Sequence, residues 1–574
     1  MTATYGSDLV AELLTALGIE YAAFNPGASF RGLHDSLVNH GGPTPVLCTH
    51  EEISVALAHG YAKAADRPMV AILHDVVGLQ HGCMAIFNAW CDRVPILLLG
   101  GTGAMDAAKR RPWIEWIHTA LVQGNHIRDF VKWDDQPQSV PAAVESIIRA
   151  HRLIRSEPTA PAYVCLDVTL QEDPLPAGAA IPADLDRWTG ITTVQADPAA
   201  LATAAEWLAA AERAVIIADR AGRSAEAPAA LLRLAEGLGA PVVDLGARFN
   251  FPATHPLDAS DALAEVLADT DMVLAIDVTD VHGALRAGPR PPAARVITLS
   301  MADLLVRSWT ADYQQLEPAD LTLVGDSRIA LPALADLVVE RLRTEDAGRT
   351  GRRSGRARAL GEAAARRRRG WEEQARADQR RASVTAASLA LALRDAIGTH
   401  DWVLANVPLE HWLRRLWPIE QRYQWAGASG GAGIGYGIGA SLGVALAHRG
   451  SGRIVIDVQS DGDLLYCTSA LWTAAHERLP LLIVMHNNRS YRNSEAHAAR
   501  LARQRGRPTT NRGIGTRIED PAVDFAAVAR GMGVPSFGPI HDPRALSAAL
   551  AEAIAVVDAG GPCLIDVVID EPEP

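Results

Sequence analysis

The chain is 574 residues long, 48% hydrophobic and 21% charged, with a formal net charge of −13. That length exceeds what one hydrophobic core serves, and the composition is that of a soluble globular protein with more than one domain. The acidic balance argues against a general nucleic-acid binder, and no apolar run approaches the roughly 20 residues that span a bilayer.

The segment Met1-Thr2-Ala3-Thr4-Tyr5-Gly6-Ser7-Asp8 lacks a basic n-region and a long apolar core, so no signal peptide is expected. Cys48, Cys83, Cys91, Cys165, Cys467 and Cys563 form no CxxC pair and read as reduced core residues of a cytoplasmic protein.

A first block, 1–178, alternates short apolar strands with helical segments. Its strands are Tyr21-Ala22-Ala23-Phe24, Met69-Val70-Ala71-Ile72-Leu73, Ile96-Leu97-Leu98-Leu99 and Ala162-Tyr163-Val164-Cys165-Leu166. Glu51 follows His50 at the start of a helix, Ile53 to Ala62, that is apolar on most faces. A carboxylate there is either a partner of the helix dipole or a group held in apolar surroundings to share a proton with a ligand nitrogen. The Pro/Ala-rich passage from Asp173 to Pro182 closes the block as a linker.

A second block, 190–340, repeats the alternation with Ala214-Val215-Ile216-Ile217-Ala218, Pro241-Val242-Val243, Met272 to Asp277 and Arg295-Val296-Ile297-Thr298-Leu299. An Arg-rich stretch follows, 341–382, including Arg366-Arg367-Arg368-Arg369; it reads as a solvated helix face or connector.

The third block, 383–574, opens with a Gly-rich run from Gly427 to Gly439 that leads into a helix. Such a run fits a dinucleotide fingerprint, with Asp457 loosely in place of the acidic residue, and equally a bend that lets a flat ring approach the backbone. Next come Ser460-Asp461-Gly462-Asp463, a helix over Ser469 to Ala475, a strand over Leu481 to Met485, and Asn487-Asn488. Oxygen ligands thus stand at the carboxyl ends of two strands, where open parallel sheets bind ligands. A carboxylate, an amide oxygen and a nearby carbonyl suit Mg²⁺, and Gly462 lets backbone N–H groups approach an anion. The bland alternative is a pair of turns at strand ends.

In this order, Glu51, Ala58-His59-Gly60-Tyr61-Ala62, the Gly-rich run, Asp461-Gly462 and Asn487-Asn488 resemble the thiamine-diphosphate-dependent 2-oxo-acid decarboxylase and acetohydroxyacid synthase superfamily. The resemblance implies an α/β fold of three doubly wound parallel-sheet domains: pyrimidine-binding, central and diphosphate-binding. It implies thiamine diphosphate and Mg²⁺ as cofactors, and leaves a flavin in the central domain undecided. Glu51 would hydrogen-bond the aminopyrimidine and so promote proton loss from the thiazolium carbon. Asp461, Asn488 and the carbonyl of Ser490 would hold Mg²⁺. Gly462, Asp463 and Tyr491 would join them around the cofactor, with Ala432 and Ile434 against its pyrimidine and Ile434 as the apolar wedge that bends it. Ser460 stands where the family has the first glycine of Gly-Asp-Gly, a place that needs only a small residue.

On the substrate side, Asn25-Pro26-Gly27-Ala28 and Leu73-His74-Asp75 are most similar to the benzoylformate decarboxylase branch, with Ala28 in place of a serine. His74 and His118 are the implied proton-transfer residues; His282 matches a second histidine only through a gap, and Tyr491 and Glu495 fall where members line the substrate pocket. Val76-Val77-Gly78-Leu79-Gln80-His81 departs from the turn of acetolactate synthases. The implied activity is cleavage or formation of a C–C bond next to a carbonyl, foremost decarboxylation of a 2-oxo acid with carboligation to an aldehyde. An acetolactate synthase-like transferase and a 2-hydroxyacyl-CoA lyase are the alternatives within the family. The implied assembly is a homodimer or homotetramer with active sites between subunits. A nicotinamide-dependent dehydrogenase and a non-catalytic scaffold are the alternatives of other classes.

Overall fold

The computed structural model describes residues 2–304, 315–408 and 410–570. Three wholly parallel sheets organise the chain. The first contains β1 (Tyr21–Phe24), β2 (Thr44–Leu47), β3 (Met69–Leu73), β4 (Ile96–Thr102), β5 (Asp134–Asp135) and β6 (Ala162–Asp167), in the order β2-β1-β3-β4-β6-β5. Every residue of β3, β4 and β6 is buried. Helices cover both faces of such a sheet, which is why these strands read as continuous apolar runs. Helix α1 (Glu51–Ala65) follows β2, with the His50 imidazole accepting the Glu52 N–H as its N-cap. Helix α2 (Asp75–Cys91) follows β3.

The second sheet holds β7 (Ala214–Ala218), β8 (Val242–Asp244), β9 (Met272–Ile276), β10 (Arg295–Ser300) and β11 (Leu321–Val324), ordered β11-β10-β9-β7-β8. Helix α3 (Pro198–Ala210) precedes it. The Arg-rich stretch forms one continuous helix, α4 (Ala347–Asp378), exposed or half-buried along most of its length, with Arg353 the buried exception among its arginines. Arg353 is buried, and its Nη2 donates to the carbonyls of Ala209 at 2.5 Å and Ala211 at 3.4 Å. Arg356 donates to the Ala214 carbonyl at 3.1 Å. The last carbonyls of α3 have no partner within their own helix and draw the Arg353 guanidinium inward, whereas Arg356 reaches the first carbonyl of β7.

The third sheet comprises β12 (Trp402–Asn406), β13 (Ile454–Ser460), β14 (Leu481–Asn487), β15 (Ser536–Ile540) and β16 (Cys563–Val568), ordered β12-β13-β14-β16-β15. Helix α5 (Tyr436–Ala447) precedes β13 and α6 (Asp461–Tyr466) follows it. No helix among the described residues is long and apolar enough to cross a membrane.

Two compact units result. Met1–Ile191, Ala375–Glu410 and Ser429–Pro574 form one, with the first and third sheets; Thr192–Gln374 and His411–Ala428 form the other. Inside the first unit, α1 and α5 cross in backbone contact. A Cβ on Gly443 would lie 1.9 Å from the Leu57 carbonyl oxygen, so only glycine permits the approach. That crossing fixes the start of α1 beside the Gly-rich bend.

Candidate active site

β13 and β14 pair in parallel register, Ser460 opposite His486, so their carboxyl ends stand side by side. Asp461 leaves the first and Asn488 the second. The Ser490 backbone N–H donates to both, reaching Asp461 Oδ2 at 3.1 Å and Asn488 Oδ1 at 3.0 Å. Asp461 Oδ1 accepts the Gly462 N–H at 2.8 Å. Burial pushes the Asp461 carboxyl up, against the pull of the Gly462 and Ser490 N–H groups. A buried carboxylate and an amide oxygen converging on one point are the donor set of a hard divalent cation, so the residues present fit Mg²⁺. Asn487 is engaged elsewhere, its amide donating to Asp566 Oδ1 at 2.9 Å within the sheet.

Both Asp463 oxygens are occupied by the chain itself. They accept the N–H groups of Gly435 at 2.6 Å and Gly437 at 3.1 Å, and the Gln459 amide at 2.6 Å. Asp463 thereby ties the Gly-rich bend and the start of α5 to the end of β13. Within the bend, Ala432 holds a left-handed φ of 51°, and Ile434 turns an apolar side chain outward, 39% exposed. Asn88 on α2 clasps the same bend, donating to the Gly433 carbonyl and accepting its N–H. The Tyr491 ring lies across Gly462, whose side-chain direction it fills. The bend, the α6 turn and the end of β14 therefore make one continuous lining.

Two adjacent carboxylates at the start of α1 diverge. Glu51, buried, accepts from the Asn25 amide at 3.1 Å, and its other oxygen lies 3.4 Å from His81 Nδ1. Gly78 makes room for it: a Cβ there would sit 2.7 Å from Glu51 Oε1. Glu52 turns instead toward Gly435 and Asp463, and burial followed by the Asp463 charge pushes its carboxyl to about 7. Among the described residues, no hydrogen bond or ion pair joins Glu51 to Asp461 or Asn488 within the chain.

His74 and His118 do come together, their rings 5.5 Å apart edge to face. With Asp75 they present ligand-type atoms within 4.8 Å of one another. His74 Nδ1 lies 2.9 Å from the Ser29 hydroxyl, and burial, then His118, holds the imidazole below its ordinary range. Asp75 is buried at a φ of 41°, and burial followed by Glu115 pushes its carboxyl to about 7. His118 Nδ1 and Asp75 Oδ1 are buried and make no hydrogen bond. Ser29, Asp75 and Asn25 were not singled out as working residues by sequence; a buried hydroxyl stands at Ser29, one residue after Ala28. His282 belongs to the second unit, 2.9 Å from Glu317, a carboxylate it shares with Arg290. Glu495 is buried, accepting from the Ser490 hydroxyl at 2.9 Å and Arg512 at 3.1 Å, and so braces the loop after β14.

The dinucleotide alternative loses its context. A helix, Glu410–Leu416, intervenes between β12 and the Gly-rich bend, and Asp457 lies buried within β13, accepting from Asn406 at 3.0 Å. A fingerprint needs a strand running straight into the glycines and an exposed acid beyond them.

The chain matches the thiamine pyrophosphate enzyme family in three parts. These are the N-terminal TPP binding domain over residues 4–123, the central domain over 201–334 and the C-terminal TPP binding domain over 408–567. It is 27% identical to a benzoylformate decarboxylase of Pseudomonas aeruginosa, covering 92% of each chain. It is 28% identical to an acetolactate synthase large subunit of Mycobacterium tuberculosis, over 47% of this chain and 48% of that one. Among solved structures, a thiamine diphosphate-dependent 4-hydroxybenzoylformate decarboxylase of Rhodococcus jostii RHA1 superposes with a TM-score of 0.77 at 20% identity, covering 99% of this chain and 100% of the other.

Proposed function

Because the chain belongs to the thiamine pyrophosphate enzyme family, we propose that it uses thiamine diphosphate and Mg²⁺ to decarboxylate a 2-oxo acid, releasing an aldehyde or joining the product to a second carbonyl. The reading rests on one observation above the rest: Asp461 and Asn488, from adjacent strand ends, share the Ser490 N–H. In this reading Asp461, Asn488 and the Ser490 carbonyl hold the metal. Gly462 and Tyr491 flank the diphosphate, and Ala432 and Ile434 meet the pyrimidine. Asp463 acts at one remove by fixing the bend. When bound, the cofactor supplies a carbon nucleophile and an electron sink for the charge left by CO₂.

The protein's own part is positioning and proton traffic. Glu51 would meet a ring nitrogen of the cofactor and exchange a proton with it, its carboxylate held by the Asn25 amide and given room by Gly78. His74 and His118 carry protons to and from the substrate, His74 kept neutral by burial and so ready to accept one. In the domain scheme, 1–178 binds the pyrimidine, 190–340 is central, 341–382 links and 383–574 binds the diphosphate. The active form is a homodimer or homotetramer in which Glu51 of one copy meets Asp461 and Asn488 of another.

An aromatic 2-oxo acid is the leading substrate class, since the benzoylformate decarboxylase likeness runs along 92% of the chain. Acetolactate synthesis is the second reading, favoured by a second Mycobacterium tuberculosis relative, described as an acetolactate synthase large subunit and 28% identical over 98% of this chain, and ranked second because Val76 to His81 departs from the acetolactate synthase turn. The test is a panel of aromatic and aliphatic 2-oxo acids incubated with protein, thiamine diphosphate and Mg²⁺, with CO₂ and aldehyde followed. Aldehyde from an aromatic member supports the proposal. Cofactor-loaded protein that releases no CO₂ from any member would redirect it to cleavage of 2-hydroxyacyl thioesters.

A further inference from the structure

Residues three apart share one face of a helix, and on α2 that spacing joins Gly78 to His81. Gly78 has no Cβ and so admits the Glu51 carboxylate. One turn further, His81 Nδ1 lies 3.4 Å from Glu51 Oε2. The other oxygen, Oε1, accepts the Asn25 amide at 3.1 Å. Glu51 therefore meets an amide, which carries no titratable proton, on one side and an imidazole, which does, on the other.

A second ring holds the first in place. His50 Nδ1 accepts the Glu52 N–H at 3.1 Å, which leaves the proton of its neutral ring on Nε2 and ties that ring to the head of α1. The His81 ring stacks on it, centroids 5.0 Å apart and planes 17° from parallel. Between them, His50, Glu51 and His81 bring one donor atom each within 4.8 Å of one another. Protonating His50 Nδ1 would cost the cap of α1, so His81 is the ring that can gain a proton without breaking it.

Exposure changes sharply along this path: the Glu51 side chain is 5% exposed and that of His81 61%. A buried carboxylate that gains and loses a proton needs a positioned group to carry it. Imidazole is the side chain whose ordinary titration range lies nearest neutrality. The 3.4 Å contact is looser than a finished hydrogen bond, as proton-transfer contacts commonly are before ligands bind.

We infer that His81 is the proton partner of Glu51. The Glu51 O–H bond breaks as an N–H bond forms at His81 Nδ1, and His81 Nε2 releases its proton to water; the reverse sequence reloads the carboxyl. His81 is thus a positioning residue that acts through Glu51. This role rests on the proton exchange assigned to Glu51 above and adds the side chain that serves it.

The test follows deuterium exchange at the thiazolium carbon in holoenzyme saturated with thiamine diphosphate and Mg²⁺, comparing the parent with Glu51→Gln, His81→Gln and His81→Ala. His81→Gln keeps a hydrogen-bond donor beside Glu51 but no titratable proton. Its exchange should slow about tenfold or more, with cofactor affinity and melting temperature kept. Imidazole added to His81→Ala should restore the rate in step with its concentration, a response that lost packing does not give. Parent-rate exchange in His81→Gln, or a slowed His81→Ala that imidazole leaves unchanged, would overturn the role of His81, while slow exchange in Glu51→Gln leaves that of Glu51 intact. Parent-rate exchange in Glu51→Gln would instead overturn both.

Discussion

The Ser29 hydroxyl lies 2.9 Å from His74 Nδ1 and accepts the Asp75 backbone N–H at 3.1 Å, so one side chain fixes both the imidazole and the turn that bears it. Ser29 is itself buried, and the ring has little freedom while that bond holds. With His74 in the proposed proton-transfer role, Ser29→Ala should lower kcat for a 2-oxo acid more than it raises KM, because the ring is loosened rather than removed. Stability should fall by only about 1–2 kcal/mol. Steady-state kinetics beside a melting curve check this, and an unchanged kcat would detach Ser29 from the chemistry.

Glu51→Gln keeps the shape and hydrogen-bonding reach of the side chain but removes its acid–base capacity. Deuterium exchange at the thiazolium carbon of bound cofactor, followed by NMR after acid quench, should slow about 10²-fold or more. Cofactor affinity should stay within a few-fold of the parent. Exchange at the parent rate would exclude Glu51 from the proton transfer.

Gly78→Ala separates stability from function. The added Cβ would stand 2.7 Å from Glu51 Oε1, so the carboxylate must shift. Alanine in a helix interior gains up to about 1 kcal/mol over glycine. A protein that melts no lower than the parent, yet turns over at least tenfold more slowly, is the expected outcome.

Asp457 makes stability depend on pH. Burial, with Asp463 adding to it, pushes its carboxyl from 3.8 to about 7, while Asn406 pulls the other way. The folded state binds this proton more tightly than the unfolded chain, so the contribution to stability is largest below 3.8 and is lost as pH rises toward about 7. Asp457→Asn, which carries no charge, should therefore melt above the parent at pH near 8. The gap, on the order of a few kcal/mol, should shrink toward pH 5. Parallel melting curves across that range measure it, and a gap independent of pH would contradict the assignment.

Much of this molecule is written in its apolar runs. The strands Met69–Leu73, Met272–Ile276 and Leu481–Asn487 are buried along their full length, and burial on both faces leaves an unbroken hydrophobic signature. The edge strands Thr44–Leu47 and Leu321–Val324 keep exposed residues and Asp134–Asp135 is two residues long, so they carry no such mark. At the site, Asp461 and Asn488 were legible because each directly follows a strand in the chain. Ser29, Asn25 and Asp75 gain their partners only when loops of the first sheet meet, and spacing does not reveal that. The arginines of α4 do lie mostly toward solvent, as their charge suggests; Arg353 is the exception, drawn inward by the carbonyls at the end of α3, and nothing in the spacing marks it out.

The most direct test is a calorimetric titration of the protein with thiamine diphosphate, with and without Mg²⁺, beside the variant Asp461→Ala. Asp461 and Asn488 as metal ligands predict tight uptake only when Mg²⁺ is present, and at least a tenfold loss in the variant while its melting temperature is kept. Equal affinity without the metal, or an unaltered isotherm in Asp461→Ala, would contradict the account.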